Sequence, residues 1–283
     1  MTKKKTLTIV MIIYIVCFLF RLLEYFVLRT DKTWVGEAVV HKIIGIMILY
    51  WAAKLLNAVP GDYGFARGKW GKGTIRGLAF GMVIFVISYG IEILIAFMQG
   101  KFQSLQIYVS AYAIDKNIGM QTGVIFFGIC IAGNIINVVM EEGIFRGCFM
   151  WLLEKKFAFL YSAIVSSLLF GLWHVVGPVR NYMDGALSVE WMIANIVMLV
   201  VTSGLVGFKF VLLTKMTGDL YMAMGDHFVN NTIVNLLHVV TNSGVDELMI
   251  ARLAIAQSIS CTIVIVYYLI WVRRTGKVAF SCK

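Results

Sequence analysis

The stretch "MEEGIFRG", residues 140–147, places two adjacent glutamates and an arginine inside a sequence that is otherwise almost entirely apolar. It belongs to an apolar run over residues 120–152, and a membrane-spanning helix needs only about 20 residues. Similar runs recur along the chain, whose 60% hydrophobic and 14% charged residues contrast with the roughly 25% charged residues of a soluble domain. The sequence therefore predicts an integral membrane protein that carries ionisable groups within the bilayer.

The apolar runs predict an all-α, polytopic protein with about eight transmembrane helices, in a single membrane domain over residues 1–283. The two prolines, Pro60 and Pro178, fall at the ends of apolar segments, which favours helices over a barrel. The first segment carries Arg21 and Glu24 and has no clear small-residue cleavage site, so we interpret it as a retained span. The expected spans are residues 7–28, 36–58, 75–98, 120–152, 158–176, 191–208, 219–240 and 250–272.

Lysine and arginine are concentrated in alternate connecting segments, on the side of the membrane that holds the N-terminus. Because basic residues are retained in the cytoplasm, this bias predicts a multi-pass protein of the cell membrane with both termini cytoplasmic. The net charge of +10 is then explained by topology and by attraction to anionic lipid. It gives little reason to expect nucleic acid as a partner.

Ionisable side chains within the bilayer are costly unless they are paired or face a cavity, so their positions carry the functional evidence. Glu142 and Arg146 are four residues apart and are expected to form an ion pair on one helical face. Glu141 lies about 100° around the helix, escapes that pairing and is interpreted as the free carboxylate. Its face continues through Asn137 and Asn134, which predicts a polar stripe that faces protein.

Two later spans also carry polar groups. The fifth ends in "FGLWHVVG", residues 170–177, with a single imidazole, His174, for which a packing role is as plausible as a catalytic one. The seventh reads "MGDHFVNNTIVNLLHVV", residues 224–240, and its polar side chains follow one helical face at steps of four, four and three. These are His227, Asn231, Asn235 and His238. A hydrogen-bonded seam between helices is the alternative interpretation of this face.

A carboxylate, two imidazoles and an amide that converge inside the bilayer suit hydrolysis. A glutamate in a low-dielectric cavity is a competent base for water, and a neighbouring histidine can share the proton. A second histidine and an asparagine amide can donate hydrogen bonds to the oxyanion of a tetrahedral intermediate. These motifs place no serine or cysteine beside a base, so a covalent nucleophile is the weaker mechanism.

The order EExxxR, FxxxH and HxxxN along a polytopic membrane protein resembles the CPBP family, which includes type II CAAX prenyl endopeptidases and bacteriocin-processing and self-immunity membrane proteins. All three motifs match in full, over roughly residues 120–240, the expected catalytic core. Their residues are Glu141, Glu142 and Arg146, then Phe170 and His174, then His227 and Asn231. The first three helices lie outside the resemblance.

The resemblance implies an intramembrane endopeptidase that acts on a membrane-associated, prenylated or leader-peptide substrate. It implies that Glu141 and His174 activate the hydrolytic water. His227 and Asn231 would stabilise the oxyanion. Glu142 and Arg146 would have supporting roles, together with the Phe170 of the second motif.

The family is often labelled a metalloprotease family, so zinc has to be considered as a cofactor. Glu141, His174 and His227 would be an acceptable set of three zinc ligands. They come from three separate helices, however, with no HExxH pair to fix two ligands by local geometry. We therefore favour a glutamate mechanism without a metal or other cofactor.

Two other classes of function are compatible with polar residues inside a membrane. A non-proteolytic immunity or regulatory scaffold would bind a membrane partner, and such a protein could have lost a catalytic residue, whereas every motif residue is present here. A transporter with a proton relay would be expected to have inverted repeats or helices broken by Gly or Pro in matching halves, which the sequence does not show. The enzyme is the interpretation that we carry forward.

Overall fold

The computed structural model describes residues 1–33, 35–110 and 120–276, and helices dominate it. The helices are α1 (Lys3–Leu23), α2 (Val40–Leu55), α3 (Trp70–Met98), α4 (Val124–Glu141), α5 (Met150–Glu154), α6 (Phe159–Trp173), α7 (Val176–Met183), α8 (Val189–Thr217), α9 (Tyr221–Leu236) and α10 (Met249–Thr275). The π-helical segment Glu24–Leu28 extends α1, and a second one, Glu142–Phe149, joins α4 to α5. Short 3-10 helices lie at Thr30–Lys32 and Pro60–Tyr63, and strands β1 and β2 at Phe102–Ile107 and Leu237–Thr241.

Within the described residues, six helical stretches are long and apolar enough to cross a membrane: Lys3–Lys32, Trp70–Met98, Val124–Glu154, Phe159–Met183, Val189–Thr217 and Met249–Thr275. The all-α, multi-pass class is therefore confirmed. The predicted number of eight is approximate, because α2 and α9 have 16 residues each. At about 1.5 Å per residue these two helices are shorter than the roughly 20 residues that a full span needs.

The seventh predicted span, 219–240, is wrong at its C-terminal end. Helix α9 ends at Leu236, and β2 follows, paired antiparallel with β1. Three consecutive β-branched residues, Val239, Val240 and Thr241, favour the extended conformation. His238 therefore leaves the helical face on which its spacing had placed it.

The fifth predicted span, 158–176, is also interrupted. Helix α6 ends at Trp173, and α7 begins at Val176 with Pro178 in its first turn, where the missing N–H is tolerated. His174 caps α6, with its backbone N–H donating to the carbonyl of Gly171 at 3.1 Å. The break places the imidazole at a junction between two helices.

Helices α3 and α9 approach each other through glycines. A Cβ at Gly77 would lie 2.2 Å from the backbone oxygen of Met222, and a Cβ at Gly225 would lie 2.5 Å from that of Thr74. Small residues at a helix interface allow backbones to come this close in a membrane. The contact fixes the position of α9 and of the polar residues that α9 carries.

Both ends of the described chain lie at one face of the bundle. The Lys3 ammonium lies 5.7 Å from the centre of the Phe157 ring, beside the turn that joins α5 to α6. At the same end, Trp151 and Trp271 line a cavity of about 880 Å³. The C-terminal residues 277–283 lie outside the described residues. That this face is cytoplasmic rests on the distribution of basic residues and stays a prediction.

Candidate active site

Glu141, the last residue of α4, is only 3% exposed and is held by donors from two helices. Its Oε1 accepts a hydrogen bond from the indole N–H of Trp173 at 3.0 Å. Its Oε2 accepts one from the amide of Asn137, one turn earlier, at 3.2 Å. Part of the predicted polar stripe thus points along the helix to the carboxylate.

Two basic groups approach the same carboxylate. Nη1 of Arg21, from α1, lies 3.9 Å from Oε1, and Nε2 of His227, from α9, lies 3.5 Å from Oε2. Glu141 does escape pairing with Arg146, but the interpretation of Glu141 as a free carboxylate is wrong. Its partners come from helices remote in sequence, and helical spacing within one span cannot show such contacts.

The predicted ion pair between Glu142 and Arg146 is confirmed. Arg146 Nη1 lies 3.1 Å from Glu142 Oε1, and both side chains are almost completely buried. The same Oε1 accepts a hydrogen bond from Nδ1 of His227 at 2.8 Å. The guanidinium also lies 3.9 Å from the centre of the Phe170 ring, and its Nε donates to the carbonyl of Gly207 at 3.4 Å.

Both glutamates reach His227, although consecutive residues of an α-helix point about 100° apart. The π-helical segment that begins at Glu142 changes the local pitch at this point. Segments of π-helix inside longer helices are frequent at functional sites. His227 therefore lies between two carboxylates, with one ring nitrogen facing each.

The hydrogen bond to Glu142 orients the His227 ring. A carboxylate only accepts, so Nδ1 carries the proton in that bond, and Nε2 faces Glu141. The 3.5 Å separation from Nε2 to Glu141 is longer than a good N–H···O hydrogen bond. Stacking on Phe210, with ring centres 4.9 Å apart, supports the ring from one side. The geometry creates a carboxylate–imidazole pair that can exchange a proton with a water molecule bound beside both groups.

His174 lies beside this pair. Its Nδ1 is 2.8 Å from the backbone carbonyl of Phe170, so Nδ1 donates and Nε2 is left as an acceptor. The Phe170 ring meets both imidazoles edge-on, with centre separations of 4.8 Å to His174 and 6.2 Å to His227. The structure thus brings together the carboxylate and the two histidines of the three motifs.

Asn231 follows His227 by one turn on the same face of α9 and is half-buried. Its side-chain oxygen accepts a hydrogen bond from Asn230 at 3.2 Å, so its own N–H groups can be directed to another acceptor. The other two members of the predicted face belong elsewhere. Asn235 lies 4.0 Å from the sulfur of Cys130, and His238 lies 3.3 Å from the carboxylate of Asp246.

Sequence reasoning missed Arg21 and Trp173 as members of the site. The Arg21 guanidinium lies 4.6 Å from the centre of the Trp173 ring. Arg21 forms an ion pair with Oε1 of Glu141, and Trp173 donates a hydrogen bond to the same oxygen. The available signal was an arginine in the middle of an apolar span, since such a residue nearly always has a buried partner. Nothing in the sequence indicates which of the acidic residues that partner is.

The ligand set considered for zinc does not form a preassembled metal centre. Within the described residues, no group of three or more His, Cys, Asp or Glu side chains is arranged to hold a metal ion. The Nδ1 atoms of His227 and His174 are already engaged by Glu142 and by the carbonyl of Phe170.

The multi-pass helical bundle thus encloses a cluster of glutamate and histidine side chains in its interior. Residues 123–233 match the family model described as type II CAAX prenyl endopeptidase Rce1-like. The match includes all three motifs and confirms, over these residues, the resemblance to the CPBP family that the motifs indicated. Comparison with curated proteins and with solved structures gave no match.

Proposed function

We propose that this protein is an intramembrane endopeptidase that hydrolyses a peptide bond in a membrane-associated substrate, such as a prenylated peptide or a leader peptide. The proposal is carried by one observation. Glu141 and His227 face each other at 3.5 Å, with His174 alongside, and the side chains of Glu141 and His227 are almost completely buried. Within a bilayer such a group of ionisable side chains is a functional site by default.

In the proposed mechanism a water molecule binds next to Glu141 and His174. Glu141 takes a proton from it while the water oxygen bonds to the carbonyl carbon of the substrate. The carbonyl oxygen becomes an oxyanion that accepts hydrogen bonds from Asn231 and from Nε2 of His227, which donates when both ring nitrogens carry a proton. The proton then passes to the leaving nitrogen as the C–N bond breaks, which yields a carboxylic acid and an amine.

The supporting residues have separate tasks in this mechanism. Glu142 fixes the ring of His227 through Nδ1, so that Nε2 stays on the side of the reacting atoms. Arg146 balances the charge of Glu142 and lies against the ring of Phe170. The Phe170 ring in turn contacts the imidazoles of His174 and His227 and helps to keep their relative orientation.

Peptide hydrolysis by the purified protein in detergent or liposomes tests the proposal. Glu141→Gln and His174→Ala should each abolish cleavage, and the double variant should be little worse, because residues that act as a unit are strongly non-additive. Asn231→Ala should retain a measurable rate, since the loss of one oxyanion donor costs a factor of about 10² to 10³. His238→Gln is the matched control, because His238 is a buried histidine that lies outside the site.

Chelation separates the two versions of the chemistry. We expect full activity after treatment with a chelator. Activity that disappears on chelation and returns with added zinc would overturn the glutamate mechanism and assign Glu141, His174 and His227 as metal ligands. Unchanged biological activity of the Glu141→Gln variant in cells would instead support a scaffold.

A further inference from the structure

We propose that Arg21 and Trp173 are positioning residues for Glu141: together they hold Oε1 so that Oε2 faces His227 and the hydrolytic water. The inference rests on the proposed function. It extends the site to α1, which lies outside the residues that match the family model, 123–233.

The two oxygens of Glu141 have different surroundings. Oε1 accepts the indole N–H of Trp173 at 3.0 Å and faces the guanidinium of Arg21 at 3.9 Å. Oε2 faces the imidazole of His227 at 3.5 Å, and the amide of Asn137 at 3.2 Å. A carboxylate anchored through one oxygen can present the other in a fixed direction, and a general base acts efficiently only when it is correctly oriented.

Arg21 is built into the protein interior. It is 7% exposed, and its guanidinium lies between two aromatic rings, 4.6 Å from the centre of Trp173 and 4.9 Å from that of Tyr25. The rings of Tyr14 and Phe18, also from α1, pack against Trp173 with centres 6.4 and 6.1 Å away. These ring contacts fix the distance between α1 and α6, so the Arg21 guanidinium and the Trp173 indole N–H are held together beside Oε1 of Glu141.

The pairing also answers the electrostatic problem of two adjacent glutamates in a membrane. Arg146 lies 3.1 Å from Glu142. Arg21, at 3.9 Å, supplies a positive charge for Glu141. An ionised carboxylate without such a charge would be strongly destabilised in this environment. Arg21 thus stabilises the ionised form of Glu141, which is the form that a general base requires.

Steady-state kinetics of peptide cleavage test the inference with three variants. Arg21→Met removes the charge at similar length, Arg21→Lys keeps the charge but loses the planar stack, and Trp173→Phe removes the indole N–H but keeps a ring. We expect Arg21→Met to lower kcat about tenfold with little change in KM, since orientation of the base affects the chemical step. Arg21→Lys should recover part of the loss. The kcat of the double variant Arg21→Met, Trp173→Phe should exceed the value expected from multiplying the two single effects.

A matched control removes a buried cation elsewhere. Arg252 is fully buried and pairs with Glu92 and Asp246, at 2.6 and 2.7 Å. Arg252→Met should lower thermal stability while the folded fraction retains the kcat of the wild type. A purely structural role for Arg21 predicts the same behaviour for Arg21→Met, and that result would overturn the inference.

The outcomes also separate this inference from the proposed function. If Glu141→Gln is inactive while the folded Arg21 and Trp173 variants keep the wild-type kcat, only the positioning role fails. If Arg21→Met does not fold, Arg21→Lys and Trp173→Phe decide, and wild-type kcat in both refutes the role. If wild type and Glu141→Gln are equally inactive on every peptide, the proposed function fails and the positioning role fails with it.

Discussion

Replacement of Glu142 by glutamine isolates the contribution of the buried ion pair to stability. Glu142 has no exposed surface, and it binds both Arg146, at 3.1 Å, and His227, at 2.8 Å. Glutamine keeps the size of the side chain and can still accept a hydrogen bond, but it removes the negative charge. The guanidinium of Arg146 is then left without its counter-charge in the interior of the bundle.

The expected loss follows from that burial. Arg146 is 2% exposed, so water cannot take over the role of the carboxylate. Breaking a buried pair by removing one partner costs about 3 to 5 kcal/mol of the free energy of unfolding, because an uncompensated charge remains. The stack of Arg146 on Phe170, at 3.9 Å, keeps part of the contact energy. We therefore expect a loss near the lower end, about 3 kcal/mol.

The assay is reversible unfolding in mixed micelles, followed by circular dichroism, with a surface pair as the matched control. Glu154 pairs with Lys215 at 2.5 Å, but the two side chains are 32% and 35% exposed. Glu154→Gln should therefore cost less than about 1 kcal/mol. Glu141→Gln should also cost less than Glu142→Gln, since Arg21 keeps its contacts with Tyr25 and Trp173.

A double variant sharpens the reasoning. Glu142→Gln combined with Arg146→Met removes both charges and should recover part of the lost stability, because no uncompensated charge is left. A Glu142→Gln variant no less stable than Glu154→Gln would contradict a stabilising role for the buried ion pair. A double variant that is less stable than Glu142→Gln by the full cost of a second independent substitution would also contradict that role.

Three further predictions concern topology, packing and pH. Positions 156 and 186 are both exposed, and the basic residues assign 156 to the cytoplasm. In intact cells, an impermeant thiol reagent added outside should therefore react with a cysteine at position 186 but not with one at position 156. The reverse pattern would show that the topology is inverted. Gly77→Ala should destabilise the protein by about 1 to 3 kcal/mol, because the added Cβ would collide with the backbone oxygen of Met222. Gly90→Ala lies in the same helix with nothing within 4 Å of the added Cβ, and it should be neutral or stabilising. Equal effects of the two substitutions would contradict the close contact at Gly77. The hydrogen bond from Arg29 holds the pKa of Asp184 below its ordinary range. The ionised Asp184 therefore stabilises the fold above the unfolded pKa of about 3.9, and this stabilisation is lost as the pH falls through the lower folded pKa. Melting temperatures of wild type and Asp184→Asn should converge at acidic pH, and a difference that stays constant with pH would contradict this role of Asp184.

The features that the sequence predicted correctly are those with a local cause. Helical spans follow from runs of apolar residues, and the ion pair between Glu142 and Arg146 follows from a spacing of four on one helix. The meeting of Glu141 with His227 was expected from the motifs and is present at 3.5 Å. Local spacing and motif order thus predicted which residues meet at the centre of the site.

The features that the sequence did not predict depend on contacts between distant segments. Arg21 reaches Glu141 only because α1 packs against α6 through aromatic rings, and no spacing encodes that choice of partner. The strand after Leu236 forms because a second strand lies beside it. The apolar run by itself predicted that the helix would continue. The π-helical segment at Glu142 has no composition of its own that distinguishes it from an α-helix.

The two adjacent glutamates differ most in how their charges are balanced, and this difference explains why the proposed mechanism assigns them different roles. Glu142 is paired with the guanidinium of Arg146 on its own helix at 3.1 Å, so its counter-charge is close. Glu141 is balanced by a more distant guanidinium, at 3.9 Å, on another helix. A carboxylate with a looser counter-charge can accept a proton with less loss, because the Coulomb energy that it forgoes decreases with distance. Adjacent residues of the same type can therefore serve as a structural anchor and as a base.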